Sequence, residues 1–241
     1  MDAKRLSDDL ERELAAGGDP ARAEQERRYL KSDLRFLGAS VPVVRTAVKR
    51  LHREHPAPDR NDVVALAAAL WEAPVHERRL AAVEWLDLCR ELLTPADLPL
   101  LERLLREART WALVDGLAAR VVGAVRERYP ENLEETLEAW STDSDPWMRR
   151  ASLLAYLVAL RTGDGDFAAF ARKADRMLCD REPFVQKAIG WVLRDTGKRR
   201  PRLVAGWLEP RAHLLAGLSI REAVKYLPAG DRDRILRAGG R

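Results

Sequence analysis

Residues 108–125 read ARTWALVDGLAARVVGAV, and one carboxylate interrupts an otherwise apolar helical face. Val114, Leu117, Val121, Val122 and Val125 recur three and four apart, the spacing of a core-facing stripe. Asp115 stands among them, four residues after Trp111, so the carboxylate and the indole share one side of the helix. Together they suit a reaction in which positive charge develops. The carboxylate stabilises such a transition state and can position or deprotonate water, while an indole face attracts cations by roughly 0.5–2 kcal/mol. The same Asp115 also fits a plainer role as a helix-start acid that complements the dipole and orders a neighbouring Arg.

The elements that must hold these residues are helices. Leu, Ala and Val fall three and four apart in blocks separated by turn signals such as GGDP, PAPD, TPAD, YPEN and TGDGD, and no segment alternates with period two. Five segments repeat one pattern, a charged residue followed by a small and apolar face: HERRLAAVEWL, WALVDGLAARVV, WMRRASLLAYL, FVQKAIGWVLR and SIREAVKYL. Their anchors Arg79, Asp115, Arg150, Lys187 and Glu222 are spaced 36, 35, 37 and 35 residues apart, and a weaker copy places Arg45 another 34 upstream. Two helices per period describe a helical-hairpin solenoid, so the expectation is an all-α superhelical solenoid of about six HEAT-like repeats, one domain over residues 1–241. Stacking would line the anchors along one concave wall. Four of the six are basic, and with Arg149, Arg194 and the tract Lys198, Arg199, Arg200 and Arg202 the wall would form a groove for a phosphate backbone. An acid in the middle of that groove repels phosphate and needs a compensating role. Cleavage of an N-glycosidic bond, where the deoxyribose becomes oxocarbenium-like, supplies one. Trp191, one turn after Lys187, joins Trp111 as the second candidate indole. For Trp111 and Trp191 the alternative is core packing, for Arg149 and Arg150 a helix-start salt bridge, and for Tyr29 a surface position.

Composition narrows the remaining classes. The 42 Lys and Arg against 38 Asp and Glu give +4, consistent with a polyanionic partner. Cys89 and Cys179 are isolated, which argues against a disulfide framework or a thiolate metal site and points to a reducing, cytoplasmic setting. No run approaches the roughly 18 apolar residues of a membrane span. His52 and His55 lack a third ligand, and GxxxxGK[ST], GxGxxG and GxSxG are absent. No metal or cofactor is expected, and the chain is expected to act as a monomer.

The segments YLKSDLRFLGASVPVVR, RTWALVDGL, WMRRASLLAYL, FVQKAIGWVLRDTGK and LSIREAVKYL resemble, in order and spacing, the AlkD-like DNA alkylation repair enzymes over about residues 20–230. These are bacterial HEAT-like-repeat DNA glycosylases. The resemblance implies excision of cationic N3- and N7-alkylated purines from double-stranded DNA without a base-flipping pocket. It implies that Asp115, in the Trp-x-x-Val-Asp pattern, is the catalytic acid and that Trp111 and Trp191 flank the reaction. It further implies that Arg150 and Arg194 grip the backbone and that Tyr29 is the N-terminal cleft tyrosine. Thr110 and Ala112 depart from the family pattern, which carries a second Trp and an acid at these places. A non-catalytic binder of damaged or branched DNA and a HEAT-like protein scaffold are the alternative functions.

Overall fold

The computed structural model describes residues 1–240, and among them there is no strand, only one isolated parallel bridge between Arg35 and Val75. The all-α class holds. The chain divides into two compact units, Met1–Leu117 and Ala118–Arg241. The first contains α1 Ala3–Ala16, α2 Pro20–Leu30, α3 Val41–Glu54, α4 Arg60–Glu72, α5 His76–Leu88, α6 Leu98–Ala108 and α7 Trp111–Gly116. A π-helical stretch, Leu117–Val122, follows α7. The second contains α8 Gly123–Arg128, α9 Pro130–Trp140, α10 Pro146–Leu154, α11 Leu157–Thr162, α12 Phe167–Arg176, α13 Pro183–Gly197, α14 Pro201–Leu208, α15 Gly217–Ala223 and α16 Ala229–Ala238. The turn signals work as helix starts. Asp19 caps Ala21 with Pro20 in the first position, Asp59 and Asp62 form a capping box, and Asp145 caps Trp147.

The repeat anchors fall in one structural register. Arg45, Asp115, Arg150 and Lys187 are each the fifth residue of their helix, Arg79 the fourth and Glu222 the sixth. In the first unit α5 packs against both α3 and α7, and in the second α13 packs against both α10 and α15. The anchored helices therefore stand side by side in rows of three within each unit. Apolar residues just beyond the anchors fill the space between neighbours: Leu80, Ala81, Val83 and Leu86 on α5, and Ala188, Ile189, Val192 and Leu193 on α13 are all buried. Gly190 allows the closest approach in the second row, because a Cβ there would lie 2.9 Å from both Glu222 Cβ and the Ser219 carbonyl oxygen. That explains the glycine in AIGW.

Several basic anchors brace these rows. Arg45 pairs with the buried Glu84 of α5 at 3.1 Å, Arg79 donates to the Glu107 carbonyl at 2.8 Å, and Arg150 donates to the Phe184 carbonyl of α13. The expectation of a row of cations all aimed at a partner is corrected to this extent: Arg45, Arg79 and Arg150 give guanidinium donors to the next helix.

A second locking point closes the N-terminal loop. Gly38 has φ +84° and sits so close to Asp19 that a Cβ would lie 2.0 Å from its carbonyl oxygen. Asp19 N donates to the Gly38 carbonyl at 3.3 Å. The fully buried Glu77 carboxylate accepts from Leu37 N at 2.9 Å and Gly38 N at 2.7 Å. Charge-assisted bonds of this kind are worth about 1.5–3 kcal/mol each. Helix α2, by contrast, buries no residue at all.

His76, at the start of α5, stacks on Phe36 with centroids 4.6 Å apart, and its burial lowers the imidazole pKa from 6.5 to about 4. The unfolded chain takes up this proton below about pH 6.5, whereas the folded protein does so only near pH 4. Stability from this group is thus complete above pH 6.5 and is lost as pH falls toward 4, by about 1.4 kcal/mol per pH unit. Urea unfolding midpoints at pH 7.5 and 5 should diverge less in His76→Phe than in wild type. Parallel curves would show that His76 protonates freely in the fold.

Candidate active site

Asp115 and Trp111 lie in the first unit. Leu113 and Val114 are fully buried and seat α7 in the row, which leaves Trp111 and Asp115 on the partly exposed side, one turn apart. The Trp111 indole meets the Tyr29 ring at 5.9 Å and 89°, an edge-to-face contact. Tyr29 itself is 71% exposed and Trp111 is partly so, which makes the pair an open aromatic platform on the Asp115 side of α7. Thr110 precedes the helix as its cap residue, yet its hydroxyl is buried and makes no capping bond. A cleft of about 450 Å³ in the same unit is lined by Lys31, Ser32, Asp33, Arg79 and Arg109, among others, residues that include the one just after α2 and one shortly before α7. Lys31 and Arg109 both adopt left-handed backbone, with φ 48° and 46°.

Exposure separates the tryptophans. Of seven, Trp71, Trp85, Trp140 and Trp207 are buried, while Trp111, Trp147 and Trp191 are partly exposed. Both indoles singled out by spacing are thus partly open to solvent. Trp147, which the spacing argument passed over, packs on Phe184 at 4.8 Å.

The second unit is the basic one. It carries 23 Lys and Arg against 17 Asp and Glu, a net +6, whereas the first has 19 against 21, a net −2. The basic character read from the whole chain therefore resides in one unit. Lys187 is exposed, with its ammonium 5.7 Å from the Phe184 ring centroid. Arg150 is buried at the junction of α10 and α13. Arg149 bonds Asp180 at 2.7 Å and the Asp143 carbonyl at 2.7 Å, an ion pair to a distant segment and not the helix-start pair that was its alternative.

Trp191 and Arg194 are drawn together by a residue the sequence reading did not single out. Asp195 is buried and accepts from Trp191 Nε1 at 3.2 Å, from Arg161 at 2.8 Å, from Arg194 at 3.1 Å and from Lys198 at 3.0 Å. Burial by itself would raise its pKa. Hydrogen bonds from Lys198 and Arg194 outweigh that and hold the carboxyl below its ordinary value. Arg194 also pairs with Glu222. The signal was available as W-x-x-R-D-x-x-K, in which Trp191, Arg194 and Lys198 all lie within one turn of Asp195.

The profile of the DNA alkylation repair enzymes matches residues 10–227. The chain belongs to that family. Among solved structures, an Enterococcus faecalis protein described as a "predicted DNA alkylation repair enzyme" superposes with a TM-score of 0.78 at 21% identity, covering 88% of this chain and 97% of its own. AlkD2 from Streptococcus mutans superposes with a TM-score of 0.60 at 17% identity, covering 79% and 91%. These likenesses show the shared helical-repeat fold. No curated protein sequence matches. Family membership gives this alkylation repair enzyme a role in DNA alkylation repair, with DNA as its partner. No helix among the described residues is long and apolar enough to cross a membrane.

Proposed function

We propose that this member of the family is an N-glycosylase that hydrolyses the glycosidic bond of cationic N3- and N7-alkylated purines in duplex DNA. The observation that carries the reading is the partly exposed face of α7, where Asp115 lies one turn from an indole that Tyr29 meets edge-on. An alkylated purine with a formal positive charge is already a good leaving group. As the C1′–N bond breaks, the electron pair goes to the base, which departs neutral, and positive charge passes to the deoxyribose. The Asp115 carboxylate stabilises that oxocarbenium character and orients the attacking water, whose proton is lost as the C1′–O bond forms. Trp111 and Tyr29 offer π faces to the cationic base and sugar, and for Trp191 the same role rests on the family resemblance alone. Lys187 and Arg194 are assigned to backbone phosphates, and Arg150 keeps α10 and α13 in register beneath them. Such a mechanism draws selectivity from the lesion's own charge and calls for no base pocket, cofactor or second protomer.

The test is incubation of the wild type with a duplex carrying one 7-methylguanine. Free 7-methylguanine by mass spectrometry and a strand break after alkali treatment are expected. Salt-sensitive binding with every base retained would instead support the non-catalytic binder, a reading that the +6 charge of the second unit also fits.

A further inference from the structure

Asp195 is a buried carboxylate on a surface otherwise suited to polyanions, and bare charge counting makes it a liability there. Its geometry gives the opposite reading. Each of its oxygens is used: Oδ1 accepts from Arg194 and Lys198, and Oδ2 from Arg161 and the Trp191 indole. The three cations come from two helices and the segment after α13. Their side chains keep 46%, 26% and 41% exposure for Arg161, Arg194 and Lys198, so each touches the carboxylate and still faces solvent. Tyr226 lies under the Lys198 ammonium at 4.9 Å, and Glu222 holds Arg194 from α15 with Lys225 beside it. Without Asp195, three cations at this spacing would repel one another and the indole N–H would lose its acceptor.

We propose that Asp195 is a positioning residue, one that gathers Arg161, Arg194 and Lys198 into a preformed phosphodiester-binding triad and fixes the Trp191 ring beside it. The inference rests on the glycosylase reading for the role of Trp191, but its phosphate-binding part stands on DNA binding alone. It adds Arg161 to the DNA contacts, gives Lys198 a specific place among them and explains why a carboxylate belongs there. The cations are ordered before DNA arrives, so less side-chain freedom is lost on binding.

Asp195→Asn separates positioning from charge. Removing one negative charge from a basic surface should tighten DNA binding if charge alone matters. Positioning predicts the reverse, a loss of duplex affinity of roughly tenfold or more, although the protein has gained positive charge. Glu209→Gln is the control: it removes an exposed acid of the same unit, paired with Arg234, and should bind DNA as well as wild type or better. Fluorescence anisotropy with an undamaged duplex over a salt series gives both affinity and slope. The indole Nε1–H resonance of Trp191 should move in Asp195→Asn, and the urea midpoint shows whether the variant is folded. A folded Asp195→Asn that binds as tightly as Glu209→Gln with an unchanged salt slope overturns the proposal. Arg161→Gln and Lys198→Gln extend the test on half-exposed side chains that do not endanger folding: each should flatten the salt slope by about one, and unchanged slopes in both also overturn it. These readouts need no base release. A wild type that binds DNA but frees no base sinks the glycosylase reading and leaves this test intact.

Discussion

Asp115→Asn should leave duplex binding intact and slow release of 7-methylguanine by on the order of 10²- to 10³-fold, about 2.7–4 kcal/mol of transition-state stabilisation. The substitution keeps shape and removes charge. An amide cannot carry the negative charge that faces the oxocarbenium-like sugar, and it is a poor acceptor for a water proton. Ground-state binding should hold or improve, because a carboxylate repels the phosphates on either side of the lesion. Single-turnover measurements at saturating enzyme isolate the chemical step from binding. The expected pattern is an unchanged half-saturation concentration with a lowered maximum rate, the mark of an interaction made only in the transition state. Equal maximum rates would remove Asp115 from the reaction. A parallel loss in binding would instead point to the helix-start role, in which Asp115 orders its surroundings.

Gly38→Ala should destabilise the first unit by about 3 kcal/mol or more. Two penalties combine. An L side chain at φ +84° costs about 1–2 kcal/mol, and the new methyl would lie 2.0 Å from the Asp19 carbonyl oxygen, forcing backbone apart in a closely packed turn at about 1–3 kcal/mol. Displacing this turn also disturbs Leu37 N and Gly38 N, both held by the buried Glu77 carboxylate. Urea denaturation followed by tryptophan fluorescence measures the loss. A change below about 0.5 kcal/mol would mean that the loop relaxes without opening.

The helical class and the repeat were legible because they rest on local patterns. Apolar residues three and four apart, Asp and Pro at helix starts, and a spacing of 34 to 37 residues survive in the linear chain, and the anchors do occupy nearly the same turn of each helix. What a given anchor touches was not legible. Arg150 and Lys187 carry like charge at the same helical position, yet Arg150 is buried against Phe184 and Lys187 is exposed. That difference depends on which neighbour stands across the row, a long-range fact. Arg149 illustrates the same limit, since its partner Asp180 lies 31 residues away. Asp195 was hidden for another reason. A reading that looks for cations to bind a polyanion passes over the acid that organises them, and its burial becomes visible only once α11 and α13 are packed together.

Helix α2 holds Tyr29 over Trp111 without burying a single side chain. It is tied at its start through Asp19 and Gly38, and at its end the chain turns away at the left-handed Lys31. With no fully buried side chain to expose, its opening should take far less free energy than that of α5, which is buried nearly throughout. Amide hydrogens of residues 22–30 should therefore exchange with solvent well before those of α5. A duplex that engages Tyr29 must hold this helix down, so slowed exchange confined to α2 would report arrival of substrate at the aromatic platform even when no bond is cleaved.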